Sequence, residues 1–294
     1  HIHWASTRKG DIPLLMALAI DHRSQLTSVC DELGVDYKQI VAFKRLAVEA
    51  AARVANNRSG YGMLIDERFG RDAFFDAATK NFSWIGRPVE LPGSKPLRFE
   101  FSQDIGSQLV EWPLNHCIKC LCFYHPDDTD EMRAAQEETV MRLFQATRRN
   151  RLEMLLEVIP SKVGPTDDLT AARIIERFYE IGVYPDWWKL EPMKTRAAWK
   201  NACDAVHRND PYVRGIVVLG LDAPQSELEE SFRLAAGFDL VKGFAVGRTI
   251  FADAARGWLG GKITDEEAVK DMAQRYTSLC RIWDEARAKK GEAA

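Results

Sequence analysis

The stretch "RLEMLLEVIPSKVGPTDDLTAARIIERFYEIGVYPDWWKLEP" (residues 151–192) decides the fold. It holds an apolar run at 151–160, a helical pattern at 167–182 and a second apolar run at 184–192. Near-continuous apolar strands joined through a helix are the pattern of parallel strands buried on both faces. Inside the second run, "WWKLEP" places Lys189 among aromatic and aliphatic neighbours. Lysine is rarely buried without a partner, because desolvation disfavours the ammonium. A lysine that must be neutral to attack a carbonyl gains from such a setting. The structural alternative is a buried Lys–Glu ion pair, since strand alternation puts Lys189 and Glu191 on one face and Trp188 and Leu190 on the other.

The same unit repeats in both directions. Upstream, strands are expected at 14–21 ("LLMALAID"), 61–66 ("YGMLID") and 116–125 ("HCIKCLCFYH"), with a weaker one at 83–91 interrupted by Gly86 and Pro88. Downstream they are expected at 214–222 ("RGIVVLGLD") and 239–251 ("DLVKGFAVGRTIF"). Helical patterns fall at 37–57, 129–149, 195–209, 226–236 and 265–290. Residues 80–115, with Pro92, Gly93 and Pro96, read as an excursion after the third strand. Eight such units predict an α/β fold, a (β/α)8 TIM barrel forming a single domain over residues 1–294.

Composition agrees. The chain has 294 residues, 46% hydrophobic and 28% charged, with net charge −3 and pI about 6.1. That balance suits a protein with a large core and leaves no electrostatic footprint for nucleic acid or membrane. The basic run "TRRNR" (147–151) sits at a helix end, where cations complement the dipole. No apolar run reaches the roughly 20 residues of a membrane span, and no signal-peptide pattern is read at the start. Six scattered cysteines point to reduced thiols and a cytoplasmic location. The C-x-x-C in "CIKCLC" (117–122) reads as small core residues of a strand. The opening "HIHWAST" lacks a methionine, as expected of a processed chain, a truncated one or the tail of a longer fusion polypeptide.

In such a barrel the active site lies at the C-terminal ends of the strands. Strand one delivers Asp21, His22 and Arg23, strand two Asp66 and Glu67, strand four Tyr124 and His125. Strand five supplies Glu157, strand six Lys189 and Glu191, strand seven Gly220 and Asp222, and strand eight Gly247 and Arg248. The irregular third strand is expected to supply nothing. Asp66 and Asp222 fit helix caps as well as functional groups, and His22 and His125 fit solvated side chains. A phosphate is expected between the loops after strands seven and eight, where Gly220 and Gly247 admit backbone N–H groups and Arg248 adds a planar cation.

The motifs "ALAIDHR", "AFKRL", "MLIDERFG", "KCLCFYHPDD", "LLEVI", "WKLEP" and "AVGRTIF" occur in register from Leu14 to Phe251. The chain resembles the Schiff-base (class I) aldolases typified by tagatose 1,6-bisphosphate aldolase. More closely, it resembles the aldolase-like domain C-terminal to 5-dehydro-2-deoxygluconate kinase in bacterial myo-inositol catabolism. The resemblance implies that Lys189 forms the Schiff base, that Glu157 is the acid/base and that Asp21 assists them. It also implies that Lys44 and Asp66 lie on the substrate side and that Gly247 and Arg248 bind phosphate. Arg23, His125 and Glu191 are the further substrate-binding candidates at the rim. Departures from the tagatose enzymes around "WKLEP" and "YHPDD" concern the substrate more than the chemistry.

The implied reaction is aldol cleavage of 6-phospho-5-dehydro-2-deoxygluconate to dihydroxyacetone phosphate and malonate semialdehyde, without cofactor or metal. The expected partners are this phosphorylated sugar, a fused sugar kinase domain and further copies of the chain in a homo-oligomer. Three alternatives stay open: tagatose 1,6-bisphosphate as substrate, a metal-dependent aldolase using His22, His125 and Glu157, and a non-catalytic sugar-phosphate sensor regulating a fused kinase.

Overall fold

The computed structural model describes residues 1–8, 10–221 and 224–292. Helix α1 (Ile2–Thr7) precedes β1 (Leu15–Ala19), which leads to α2 (Ser24–Leu33) and α3 (Lys38–Ala55). Then come β2 (Tyr61–Leu64), α4 (Glu67–Ala78), β3 (Trp84–Pro88), the short α5 (Ile105–Gln108) and β4 (His116–Cys122). The middle of the chain is α6 (Asp130–Arg149), β5 (Glu153–Val158), α7 (Thr170–Glu180), β6 (Trp187–Leu190) and α8 (Arg196–Asn209). It finishes with β7 (Gly215–Leu219), α9 (Gln225–Ala235), β8 (Val241–Val246), α10 (Arg248–Leu259) and α11 (Asp265–Glu292).

The strands form a closed barrel in chain order. Every pairing is parallel, and β8 returns to β1 with Leu15 opposite Gly243. This is the expected (β/α)8 barrel. Inward side chains such as Leu15, Ala17, Leu64, Trp84, Leu155 and Trp187 fill the interior, so it is a packed core and not a pore. The opposite faces pack on the helices in a larger apolar layer. Local chemistry sets the helix ends. Thr129 caps α6 by accepting from Met132 N at 3.2 Å, and Asp130 and Glu131 follow in its first turn. Arg148 and Arg149 close its last turn, as the dipole reading of "TRRNR" predicts.

At the end of the barrel opposite the strand C-termini, α1 and Arg8 are anchored beside the start of β6. Buried Asp186, just before β6, accepts from Trp4 Nε1 at 2.7 Å, Arg8 at 2.7 Å, Arg148 at 2.9 Å and Met154 N at 2.9 Å.

Two expectations are corrected. The eighth strand stops at Val246 and not at residue 251, because Gly247 breaks it and "RTIFADAARGWL" is the amphipathic helix α10. The third strand, expected to carry no functional group, delivers one. Beyond Pro88, Val89 N bonds Lys119 O at 3.1 Å, and Glu90 forms an antiparallel bridge with Phe99 inside the excursion. All six cysteines are free and buried. Among the described residues no helix is long and apolar enough to cross a membrane. Asp222 lies outside the described residues.

Candidate active site

Strand alternation decides which groups reach the barrel mouth. On β5 and β6 the inward residues run Glu153, Leu155, Glu157 and Trp187, Lys189, and the register sets Glu157 opposite Lys189. Their side chains meet, with Lys189 Nζ 3.0 Å from Glu157 Oε1. On β4 the inward residues are Cys117, Lys119 and Leu121, and Lys119 stands beside Glu157 on the neighbouring strand.

Lys119 is the hub. Its Nζ lies 3.1 Å from Asp21 Oδ2, 3.0 Å from Glu90 Oε1 and 2.9 Å from Glu157 Oε2. Glu90 also accepts from Arg23 at 2.9 Å and from Leu121 N at 3.1 Å. Arg23 reaches on to Glu100 at 3.2 Å. All of these side chains are buried.

Burial disfavours each charge, and the opposite charges decide the outcome. Burial raises the pKa of Asp21, but Lys119, Lys189 and Arg23 overcome this and hold it well below the usual carboxylate range. Glu157 is likewise lowered, against burial, by Lys119 and Lys189. Lys119 is raised well above an ordinary lysine, because Asp21, Glu157 and Glu90 outweigh its desolvation. It is a fixed cation. Lys189, by contrast, forms its ion pair with Glu157 among the described residues.

These groups open into a cleft of about 240 Å³ at the C-terminal mouth of the barrel. Asp21, His22, Arg23, Glu157, Lys189, Gly220, Gly247 and Arg248 line it, so eight expected residues come together. Gly247 is needed there. A Cβ would fall 2.5 Å from Ala19 O and 2.3 Å from His22 Cε1. The turn leads straight into α10, whose N-terminus therefore lies at the cleft.

Four substrate-binding candidates lie elsewhere. Lys44 and Asp66, expected on the substrate side, form a fully buried ion pair on the helix side of the strands. Lys44 also donates to Ile20 O at 2.5 Å and His22 O at 2.9 Å, tying the end of β1 to the end of β2. Asp66 caps α4 by accepting from Phe69 N at 2.9 Å, the alternative its position allowed. His125, expected to bind substrate, is buried against Pro165 O at 2.9 Å and accepts from Asp127 N at 3.1 Å. It does not meet His22 and Glu157 as a ligand set. Glu191, the fourth, turns to the Ser161 amide at 3.2 Å and to its hydroxyl. It lines a separate cavity of about 270 Å³ between the tops of α7 and α8. Tyr124 bonds Glu137 at 2.6 Å, also away from the cleft.

Sequence reading missed Lys119 and Glu90. The signal for Lys119 was the one used for Lys189, a lysine inside an apolar strand, but the cysteines of "CIKCLC" drew the interpretation. Glu90 follows a strand broken by Gly86 and Pro88, and only the folded contacts reveal it.

Fold and mouth together define a class: a (β/α)8 barrel with two buried lysines and three carboxylates facing a cleft, beside a glycine turn that opens a helix. The chain belongs to the DUF2090 family of uncharacterised proteins conserved in bacteria, whose model matches residues 1–287. No curated protein matches it in sequence. Among solved structures it is similar to the Cgl0159 protein of Corynebacterium glutamicum, with TM-score 0.56 and 16% identity over 94% of this chain and 91% of that one. It is also similar to a fructose-bisphosphate aldolase from Slackia heliotrinireducens, with TM-score 0.56 and 12% identity over 90% of this chain and 86% of that one. At these identities the likeness is one of fold.

Proposed function

We propose that the protein is a class I aldolase that cleaves a phosphorylated ketose through a Schiff base on Lys189. The observation that carries this reading is the Lys189–Glu157 pair, 3.0 Å apart on adjacent strands and open to the cleft. Fold likeness to an aldolase supports it by analogy.

Glu157 takes a proton from Lys189, and the free amine adds to the substrate carbonyl to give a carbinolamine. Glu157 returns that proton to the carbinolamine hydroxyl, water leaves, and an iminium remains. Glu157 then accepts the proton of the β-hydroxyl as the carbon–carbon bond breaks. The bonding electrons pass into the iminium as an enamine, and the aldehyde product departs. Protonation of the enamine carbon and hydrolysis release the ketone product and restore Lys189. Lys119 stays charged throughout, holds Asp21 ionised and favours the return of Glu157 to its carboxylate form after each proton transfer. The Gly247–Arg248 turn and the start of α10 hold the phosphate.

The proposed substrate is 6-phospho-5-dehydro-2-deoxygluconate, giving dihydroxyacetone phosphate and malonate semialdehyde. The test is a coupled assay for dihydroxyacetone phosphate released from this compound. Wild type should release it, Lys189→Ala should not, and a chelator should leave the rate unchanged. Activity that survives Lys189→Ala and falls with chelator would overturn the Schiff-base reading.

A further inference from the structure

His22 lines the cleft, yet the steps above give it no part. Its place is built from several sides. The ring packs edge-on against Phe251, with centroids 5.0 Å apart. Its Cε1 occupies the space a side chain at position 247 would need. Its backbone oxygen is held by Lys44 at 2.9 Å. Nδ1 is buried, without a hydrogen-bond partner, and lies 3.8 Å from Asp21 Oδ1. The side chain as a whole keeps 20% of its surface exposed.

Charge sets its state. Burial opposes the imidazolium, and the Arg248, Lys189 and Lys44 cations oppose it further, outweighing Asp21 and holding the pKa down at about 3. The ring is neutral at working pH and carries one N–H and one lone pair. A proton on Nδ1 faces the Asp21 carboxylate, which leaves the lone pair on Nε2. A neutral acceptor among cations suits a substrate hydroxyl, which is itself uncharged and has a proton to donate.

We propose that His22 reads a hydroxyl of the substrate: Nε2 accepts a hydrogen bond from the hydroxyl on the carbon next to the ketone, between Lys189 and the Gly247 turn. The site therefore selects hydroxylated ketose phosphates over their deoxy counterparts. This rests on the ketose-phosphate reading, and the experiment separates the two.

Calorimetry on the full chain compares dihydroxyacetone phosphate with hydroxyacetone phosphate, which lacks the free hydroxyl. One neutral hydrogen bond predicts that wild type prefers the hydroxylated ligand by about tenfold. His22→Phe keeps the ring contact with Phe251 and should erase that preference, leaving hydroxyacetone phosphate bound within about twofold of wild type. His22→Gln, which retains a neutral acceptor, should restore part of it. A preference that persists in His22→Phe, an equal loss for both ligands, or no preference in wild type would each overturn the assignment. Binding of both ligands without a borohydride-reducible adduct would reject the Schiff base and leave the His22 result standing. Binding of neither would reject both.

Discussion

At the scale of the residue, the two lysines of the mouth differ in their company. Lys119 is surrounded by Asp21, Glu90 and Glu157, whereas Lys189, among the described residues, is ion-paired with Glu157. The first is held as a charge by three carboxylates, and the second is the lysine to which the proposed chemistry is assigned. Lys119→Met would leave three buried carboxylates facing one another and should destabilise the fold by about 3–5 kcal/mol in urea denaturation. Its pH dependence follows from the shifts. Asp21 and Glu157 have folded pKa values below their unfolded ones, so the stability they contribute is present above the ordinary carboxylate range and is lost as pH falls. Without Lys119 that loss should begin at higher pH. Lys119 itself is raised, so its own contribution is complete below about pH 10.4 and lost above, a loss the variant should lack. Melting temperature against pH for both proteins checks both limbs. Glu157→Gln should lower turnover by about 10²–10⁴-fold with the fold intact by circular dichroism. An unchanged rate would transfer the proton work to Asp21.

At the scale of the element, the β8–α10 junction is the sharpest constraint. Gly247→Ala puts a methyl group against a backbone oxygen of β1 and the His22 ring, an overpacking that should cost about 1–3 kcal/mol in chemical denaturation. Arg248→Ala should raise KM for the phosphorylated substrate far more than for an unphosphorylated analogue. Equal losses would place the phosphate elsewhere. The junction also shows how legibility varies along the chain. β5, α7 and β6 were readable because apolar runs and helical spacing alternate cleanly, and Lys189 stood out against them. The end of β8 was not, since "AVGRTIF" is apolar enough to extend a strand and only Gly247 marks the break. Lys44 and Asp66 were expected on the substrate side from the family resemblance, and a helix lysine and a strand-end aspartate do not by themselves say that they will pair with each other. Their pairing across α3 and the start of α4 is a tertiary fact.

At the scale of the molecule, the two ends of the barrel carry different charge clusters. One end carries the charges gathered around Asp186, with Trp4 of α1 among its partners, and the other carries the cleft. Asp186→Ala strips the partner from two arginines and Trp4, and should lower the melting temperature while ligand binding at the mouth persists below it. Lost binding with an unchanged melting temperature would contradict that expectation. The central claim is that Lys189, and not the equally buried Lys119, carries the covalent chemistry. Borohydride reduction in the presence of dihydroxyacetone phosphate, followed by peptide mass mapping, tests it most directly. The adduct should lie on the peptide bearing Lys189 and vanish in Lys189→Ala. An adduct on Lys119, or turnover without any reducible adduct, would contradict it.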